Sequence, residues 1–238
     1  MEAQIRIGSR RDFVLKRALL IYGDDSSTFA TLHEVRADKG QAPYLGPGQS
    51  LTTAFLRTLA RGLGARTAPE ILPQNVLARA PDLMVWWSRA QRRVMFFEGG
   101  SEEAKRLNGR TYSHPALVFK IYRQELFVRA LESDARPCGN TPLKTAPYWN
   151  TEGSRGLVCV GSMRIPQETT VETIPQWETS YFSSAFTHVS GAVRLTSHPE
   201  GFAGLWARLA DTQGLFPTEF LTDAKQTLRQ FVAGDEEP

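Results

Sequence analysis

The order of the local patterns along the chain predicts an α+β fold. Strand patterns dominate the first half, interrupted by one helix pattern, and helix patterns return only near residue 170. Separate runs of strands and helices are typical of α+β folds, whereas α/β folds alternate them. The length of 238 residues and the hydrophobic content of 41% allow a substantial core without disulfides or metals.

A β-hairpin is the first predicted element. Residues 12–22 and 28–36 have the composition of strands, and the turn-forming residues 23–27 separate them. Gly and Pro recur over 40–48, which predicts a loop after the hairpin.

One helix is predicted next, over residues 50–63. Ser50 is a typical N-cap residue, and Gly64 is a typical stop. Between them, apolar residues recur at helical spacing: Leu51, Phe55, Leu59 and Leu63.

A run of four strands follows the helix. The strand patterns cover residues 83–88, 93–97, 117–122 and 126–131. Their connections are short, apart from a loop predicted over 98–115. Strands that follow one another closely usually pair as neighbours, so we predict a four-strand antiparallel meander.

The last part of the chain begins with an irregular segment and ends in three predicted helices. Residues 132–169 contain repeated Pro and Gly, and only Leu157–Val160 could form a short strand there. Capping patterns at Thr173 and Ser197 predict two helices, and apolar spacing predicts a third over 218–232.

Charge and cysteine content exclude several classes of protein. The 28 basic and 25 acidic residues give a formal charge of only +3, so direct nucleic-acid binding is not expected. Two cysteines do not make a disulfide framework, and no metal-ligand spacing or cofactor motif occurs. The start of the chain is polar and no apolar run approaches a membrane span, so we expect a cytoplasmic protein.

Cys159 is the first candidate for chemistry. It lies between Gly156 and Gly161 in the irregular segment, and glycines let backbone N–H groups approach a reacting carbonyl. The amide of Asn150 could donate to a developing oxyanion. The alternative is that Cys159 is a small buried residue on a strand, and the residue types alone favour that alternative.

The other candidates are weaker. Cys138 lies in a polar turn and is interpreted as an incidental thiol. Of the four histidines, His188 is the preferred neighbour of an active site, although no protease signature surrounds Cys159. Trp149 is the one tryptophan expected outside the core, where it would shield the cysteine.

Several multi-residue motifs between about residues 40 and 220 carry a family resemblance. They include Leu45-Gly46-Pro47-Gly48, Trp86-Trp87, His114-Pro115-Ala116-Leu117-Val118-Phe119, Ala146-Pro147-Tyr148-Trp149-Asn150, Gly156-Leu157-Val158-Cys159-Val160-Gly161, Trp177-Glu178 and Phe186-Thr187-His188. In these motifs the chain resembles the protein B family of the PRTRC cassette (ParB-related, ThiF-related). That family is grouped with bacterial ubiquitin-conjugating-enzyme-like proteins, as prokaryotic family D.

This resemblance implies a ubiquitin-conjugating-like core: a helix, the four-strand meander, an active-site loop and C-terminal helices. The domains expected are an N-terminal β-hairpin extension over 1–40, the ubiquitin-conjugating-like domain over 41–233 and an acidic tail over 234–238.

The resemblance also implies a function. Cys159 would accept the C terminus of a ubiquitin-like protein, as a thioester, from a ThiF-like activating enzyme. In ubiquitin-conjugating enzymes a His-Pro-Asn motif lies shortly before the cysteine. Here Asn150 precedes Cys159 by nine residues, in Tyr-Trp-Asn, and would stabilise the oxyanion or hold the loop. JAB-type and ParB-like proteins of the cassette are further expected partners.

Two alternatives stay open. The chain could be a non-catalytic scaffold or adaptor for the same partners, because function belongs to the site and not to the fold. It could also be a DNA-associated plasmid maintenance factor, against which the small net charge argues.

Overall fold

The fold is described from a computed structural model of the chain. The structure describes residues 4–6, 12–23, 28–38, 42–62, 71–80, 82–190 and 194–234. The chain forms two compact units, Met1–Glu70 and Ile71–Pro238.

The described residues of the first unit form six short strands and one helix. In chain order they are β1 (Gln4–Arg6), β2 (Asp12–Val14), β3 (Arg17–Gly23), β4 (Thr28–Arg36), β5 (Tyr44–Leu45), β6 (Gln49–Ser50) and α1 (Thr53–Gly62). β1 pairs with β2, and β4 pairs with β3, β5 and β6, all antiparallel.

Two predictions for this unit need correction. The strand predicted over 12–22 is two strands, since the chain leaves β2 at residue 14 and β3 begins at residue 17. The helix begins at Thr53 and not at Ser50, because Ser50 pairs with β4 and the hydroxyl of Thr52 accepts from the N–H of Phe55 at 3.2 Å. The turn predicted at 23–27 and the helix stop at Gly64 fall largely outside the described residues.

The second unit contains nine strands and four α-helices among its described residues. In chain order they are β7 (Val76–Ala80), β8 (Leu83–Ser88), β9 (Gln91–Phe97), α2 (Glu102–Leu107), β10 (Arg110–His114), β11 (Ala116–Tyr122), β12 (Glu125–Leu131), β13 (Pro142–Thr145), α3 (Ile174–Phe182), β14 (Ala185–Phe186), α4 (Gly201–Leu209), β15 (Asp223–Thr227) and α5 (Leu228–Ala233).

Six of these strands form the main sheet, in the order β15-β13-β12-β11-β8-β7, with every pair antiparallel. A second sheet has the order β10-β9-β14, in which β9 runs antiparallel to β10 and parallel to β14. The chain is therefore a mixed α+β protein.

The predicted four-strand meander is wrong at its second strand. β8 pairs with β11 and not with β9, and the loop predicted over 98–115 contains α2 and β10. The side chains explain the difference. Residues 84–87 of β8 are buried on both faces, as suits a central strand, whereas β9 buries Met95 and Phe97 but exposes Val94 and Phe96.

The helix predicted over 218–232 is also wrong. A 3-10 turn at Thr218–Phe220, the edge strand β15 and the short α5 occupy this segment. Helical spacing arose by coincidence, because Leu221 belongs to one hydrophobic cluster while Leu228 and Phe231 belong to another.

The two clusters use alternate residues of the main sheet. Trp86 of β8 and Phe119 of β11 belong to the larger cluster, together with Trp206 of α4. Trp87 and Val118 belong to the smaller cluster, which includes apolar residues of α5. Successive side chains of a strand point to opposite faces, so α5 packs on one side of the sheet, and α3 and α4 pack on the other.

Within the described residues, no helix combines the length and apolar composition that crossing a membrane requires.

Candidate functional site

Cys159 ends a tight hairpin formed by residues 150–159, called here the cysteine hairpin. The N–H of Glu152 donates to the carbonyl of Leu157 at 2.8 Å, and the N–H of Cys159 donates to the carbonyl of Asn150 at 2.7 Å. The segment predicted to be irregular therefore has a fixed backbone around the cysteine.

The cysteine hairpin is attached to the edge of β12. Leu157 forms a bridge with Phe127, and the N–H of Val158 donates to the carbonyl of Leu126 at 2.8 Å. β13 pairs with β12 only at residues 129–130, which leaves this stretch of the edge open to the hairpin. The position of Cys159 is thus set by the main sheet.

A buried arginine secures the turn of the hairpin. Arg129 is 1% exposed and donates to the carbonyls of Gly153, at 2.7 Å, and Ser154. Its Nε also donates to the side chain of Gln226 at 3.3 Å. A buried guanidinium needs such partners, and supplying them fixes the backbone of the turn.

A surface ion pair lies on the same turn. Arg155 donates to Glu152 at 2.9 Å, and the hydroxyl of Ser154 donates to the other oxygen of that carboxylate. The hydrogen bonds from Arg155 and Ser154 lower the pKa of Glu152. Both oxygens of the Glu152 carboxylate therefore accept hydrogen bonds from residues of the same turn.

Gly156 fits a place that no other residue could take without movement. Its φ is +79°, and an added Cβ would lie 2.6 Å from the carbonyl oxygen of Val128. Close approach is needed because the Gly156 carbonyl accepts from the N–H of Val128 at 2.8 Å. This glycine serves the attachment of the hairpin to β12.

Asn150 joins the cysteine hairpin to the segment that contains β14. Its side chain is 3% exposed, donates to the carbonyl of Ala185 at 2.8 Å and accepts from the N–H of Thr187 at 2.9 Å. The N–H of His188 also donates to it, at 3.2 Å. The side-chain amide thus donates to and accepts from the backbone of residues 185–188, as a neighbouring strand would. The backbone of Asn150 has a φ of +57°, which lies in the left-handed region.

Cys159 itself is exposed. It is therefore not the buried packing residue that the residue types alone favoured. Gly161 follows with φ of +44°, and the hydroxyl of Ser162 accepts from the N–H of Ala185 at 2.9 Å. The residues on both sides of Cys159 are fixed while its thiol faces solvent.

His188 lies next to Asn150. Its carbonyl accepts from the N–H of Asn150 at 2.8 Å, and its ring is exposed, 2.8 Å from the hydroxyl of Thr187 and 3.3 Å from that of Ser190. The backbone of Asn150 bonds to His188 through its N–H and to Cys159 through its carbonyl. The structure thus brings the three predicted residues together, with Asn150 in the middle.

Sequence reasoning missed a buried polar pair formed by His114 and Tyr148, which precedes Asn150 by two residues. His114 is 1% exposed, with Nδ1 at 2.9 Å from the hydroxyl of Tyr148 and Nε2 at 3.3 Å from the carbonyl of Arg93. Burial lowers the pKa of His114 to about 3, so the ring is neutral at pH 7. A carbonyl can only accept, so Nε2 carries the proton and Nδ1 accepts from Tyr148.

A second buried hydrogen bond involves Thr151, the residue that follows Asn150. The hydroxyls of Thr151 and Tyr181 lie 3.3 Å apart, and both residues are fully buried. Burial raises the pKa of Tyr148 and of Tyr181 well above the ordinary value, so both are neutral. The residues close to Asn150 on both sides are therefore anchored in the core. The only sequence signal was the presence of His114 and Tyr148 in the motifs quoted above.

Trp149 does not shield the cysteine as predicted. It is 8% exposed, stacks on Phe202 with ring centroids 5.0 Å apart and packs edge-on against Phe97. Trp149 is a core anchor of the segment that leads to Asn150.

Cys138 is exposed in a separate turn. The hydroxyl of Thr141 donates to its sulfur at 3.5 Å, and this hydrogen bond lowers the pKa of the Cys138 thiol. Cys138 is thus an accessible thiol, and any test of Cys159 has to control for it.

Among the residues that the structure describes, no three His, Cys, Asp or Glu side chains gather as a metal site would require.

A family model described as prokaryotic E2 family D matches residues 54–224, from α1 to β15. The chain therefore belongs to prokaryotic E2 family D, a family of ubiquitin-conjugating-like proteins. Cys159, Asn150 and His188 all lie within the matched stretch. No curated protein and no solved structure was found to match the chain.

Proposed function

We propose that the chain is a ubiquitin-conjugating-like carrier with Cys159 as its acceptor thiol. The Cys159 thiolate attacks the thioester carbonyl that joins a ubiquitin-like protein to a ThiF-like activating enzyme. A new thioester forms on Cys159, and the thiol of the activating enzyme leaves. The observation that carries the proposal is an exposed thiol on a fixed hairpin in a chain of an E2 family.

The first step needs little activation of the cysteine. Transfer of an acyl group between thiols of similar pKa proceeds once the attacking sulfur is a thiolate and can reach the thioester carbonyl. What the site has to supply is a reachable sulfur in a defined place. The bonds of the cysteine hairpin at Asn150 and Leu157 supply the defined place.

Asn150 takes the loop-holding role in this proposal. Its amide is buried and bonded to the backbone of residues 185–188, which supports positioning over direct donation to an oxyanion. Its substitution should therefore act through the geometry of the cysteine hairpin.

His188 is assigned to the second step. In that step an amine of a target lysine attacks the thioester and has to lose a proton. The backbone N–H of His188 is bonded to Asn150 and its imidazole is exposed, so the ring is the candidate that we assign to accept that proton. Loading of Cys159 needs no such group.

The partners follow from the resemblance to protein B of the PRTRC cassette. A ThiF-like enzyme would load the chain in the cytoplasm, and JAB-type and ParB-like proteins of the same plasmid-type cassette would be further partners. E2 families in general work with activating enzymes and ubiquitin-like proteins.

Intact-mass measurement tests the carrier function. The chain is incubated with the ThiF-like enzyme and the ubiquitin-like protein of its cassette, with ATP. We expect a thiol-sensitive adduct whose extra mass is that of the ubiquitin-like protein less one water. Cys159→Ser should give no thiol-sensitive adduct and can instead form an ester that thiols do not cleave.

Cys138→Ala is the matched control, because Cys138 is the other exposed thiol. It should leave the adduct intact. An adduct that survives in Cys159→Ser, stays thiol-sensitive and disappears in Cys138→Ala would contradict the assignment.

A scaffold for the same partners is the second candidate. It is favoured by the commitment of the Asn150 amide, the predicted oxyanion donor, to backbone groups. In that case the wild-type chain forms no adduct, yet Cys159→Ala still binds the ThiF-like enzyme with unchanged affinity.

A further inference from the structure

The outer edge of β3 is unpaired in the described part of the chain. β3 is the end strand in the order β3-β4-β5, and its one described partner is β4. The N–H of Val35 donates to the carbonyl of Lys16, which is its direct partner in this register. Peptide groups alternate in direction along an antiparallel strand, so those of Arg17, Leu19 and Ile21 point outwards.

Within the described residues, β3 carries none of the features that usually keep an edge strand from pairing. Residues 18–22 are Ala-Leu-Leu-Ile-Tyr, with no charge and no proline, and the β3–β4 register runs without a bulge. Leu19 is 37% exposed and Ile21 is 69% exposed. An apolar edge without a bulge, a charge or a proline is a template for another strand.

The first unit also buries little of its own apolar surface. Of its described hydrophobic side chains, Leu32 alone is buried, and Leu56 of α1 is 46% exposed. Exposed apolar side chains that lie together are typical of surfaces that associate with a partner.

We propose that two copies of this chain pair antiparallel through β3, about a two-fold axis at Leu20. In this register Leu19 lies opposite Ile21 of the partner subunit, and Leu20 lies opposite Leu20 of the partner subunit. Every N–H and C=O group that points outwards from one β3 then faces such a group of the other β3.

A second copy is favoured over a different protein because β3 complements itself in this register. Its apolar centre meets an apolar centre, and Arg17 lies opposite Gly23 of the partner subunit, so no like charges meet. Such a contact is isologous and closes after two subunits.

Charge placement at two positions tests the pairing and its register. The mass of the full-length chain in solution should be twice the monomer mass of 26.6 kDa. Leu19→Lys with Ile21→Lys puts like charges opposite each other twice, which should raise the dissociation constant about 100-fold. Leu19→Lys with Ile21→Glu is the matched variant, and it should stay dimeric because opposite charges face each other.

A cross-link gives a second measurement. Leu20→Cys, in a chain with Cys138→Ser and Cys159→Ser, places two thiols at a non-hydrogen-bonded pair, where Cα atoms lie about 4.5 Å apart. Oxidation should give a disulfide-linked dimer. Ala18→Cys is the control, since Ala18 lies opposite Tyr22 of the partner subunit and should not cross-link.

A wild-type chain that stays monomeric at the highest soluble concentration would overturn the proposal, even if β3 then binds another protein. So would a dimer that both double variants leave unchanged, or cross-linking that is equal for Leu20→Cys and Ala18→Cys. None of these outcomes bears on the carrier function of Cys159.

Discussion

Replacing Asn150 with alanine is the sharpest test of how the cysteine hairpin is held. The substitution removes the hydrogen bonds to Ala185 and Thr187 and leaves a non-glycine residue at φ of +57°. A buried polar group that loses its partner costs about 1–3 kcal/mol, and a left-handed alanine costs about 1 kcal/mol. Thr187 is exposed, so water can replace part of the loss. We expect a destabilisation of about 2–4 kcal/mol.

Urea unfolding of three variants separates the two contributions. Asn150→Gly removes the same side chain, but glycine adopts the left-handed backbone conformation without strain. This variant should therefore be about 1 kcal/mol more stable than Asn150→Ala. Asn150→Asp keeps the acceptor for Thr187 and places a carboxylate against the carbonyl of Ala185, so it should also destabilise. If Asn150→Ala unfolds within about 0.5 kcal/mol of the wild type, the amide does not hold the hairpin and the reasoning fails.

Two further predictions concern the surroundings of the site. Gly156→Ala should destabilise by about 2–4 kcal/mol, because its Cβ would overlap the carbonyl oxygen of Val128 at 2.6 Å and its φ is left-handed. Gly161→Ala is its control in thermal unfolding: the nearest atom lies at 3.9 Å, so only about 1 kcal/mol should be lost. For His114, the folded pKa of about 3 lies below the unfolded value of 6.5, so stability is complete above pH 6.5 and falls as the pH decreases towards 3. Unfolding at pH 5 should require about 2 kcal/mol less than at pH 7, and His114→Gln should lose this dependence; an equal slope in both proteins would contradict it.

The local patterns predicted strands better than they predicted pairing. β8, β11 and β12 lie close to their predicted bounds, because continuous apolar runs define strands that are buried on both faces. The alternation in β9 also marked a strand, yet nothing local indicates that its partner is β10, which lies in a predicted loop. The partner of a strand depends on which strand edges the rest of the chain leaves unpaired.

The candidate site was also predicted only in part: its residues were indicated, but the contacts that hold them were not. The resemblance indicated Cys159 and Asn150, whereas the residue types alone favoured a buried cysteine. Exposure of Cys159 follows from a hairpin that ends at it, and that hairpin depends on Gly156 and on Arg129 of β12. Contacts between Asn150 and residues 185–188 join segments far apart in sequence, which periodicity cannot reveal.

The support around Cys159 argues for presentation of the thiol as the main task of the site. A buried arginine, a left-handed glycine and a buried asparagine all act on the backbone of the cysteine hairpin. A hydrolase would need a base at the sulfur and an orienting partner for that base. A carrier needs only that its thiol be reached by one large partner and then by another, and for that a fixed hairpin with an exposed end is sufficient. The carrier is the function that we propose for this arrangement, and the scaffold is the alternative that the intact-mass experiment decides.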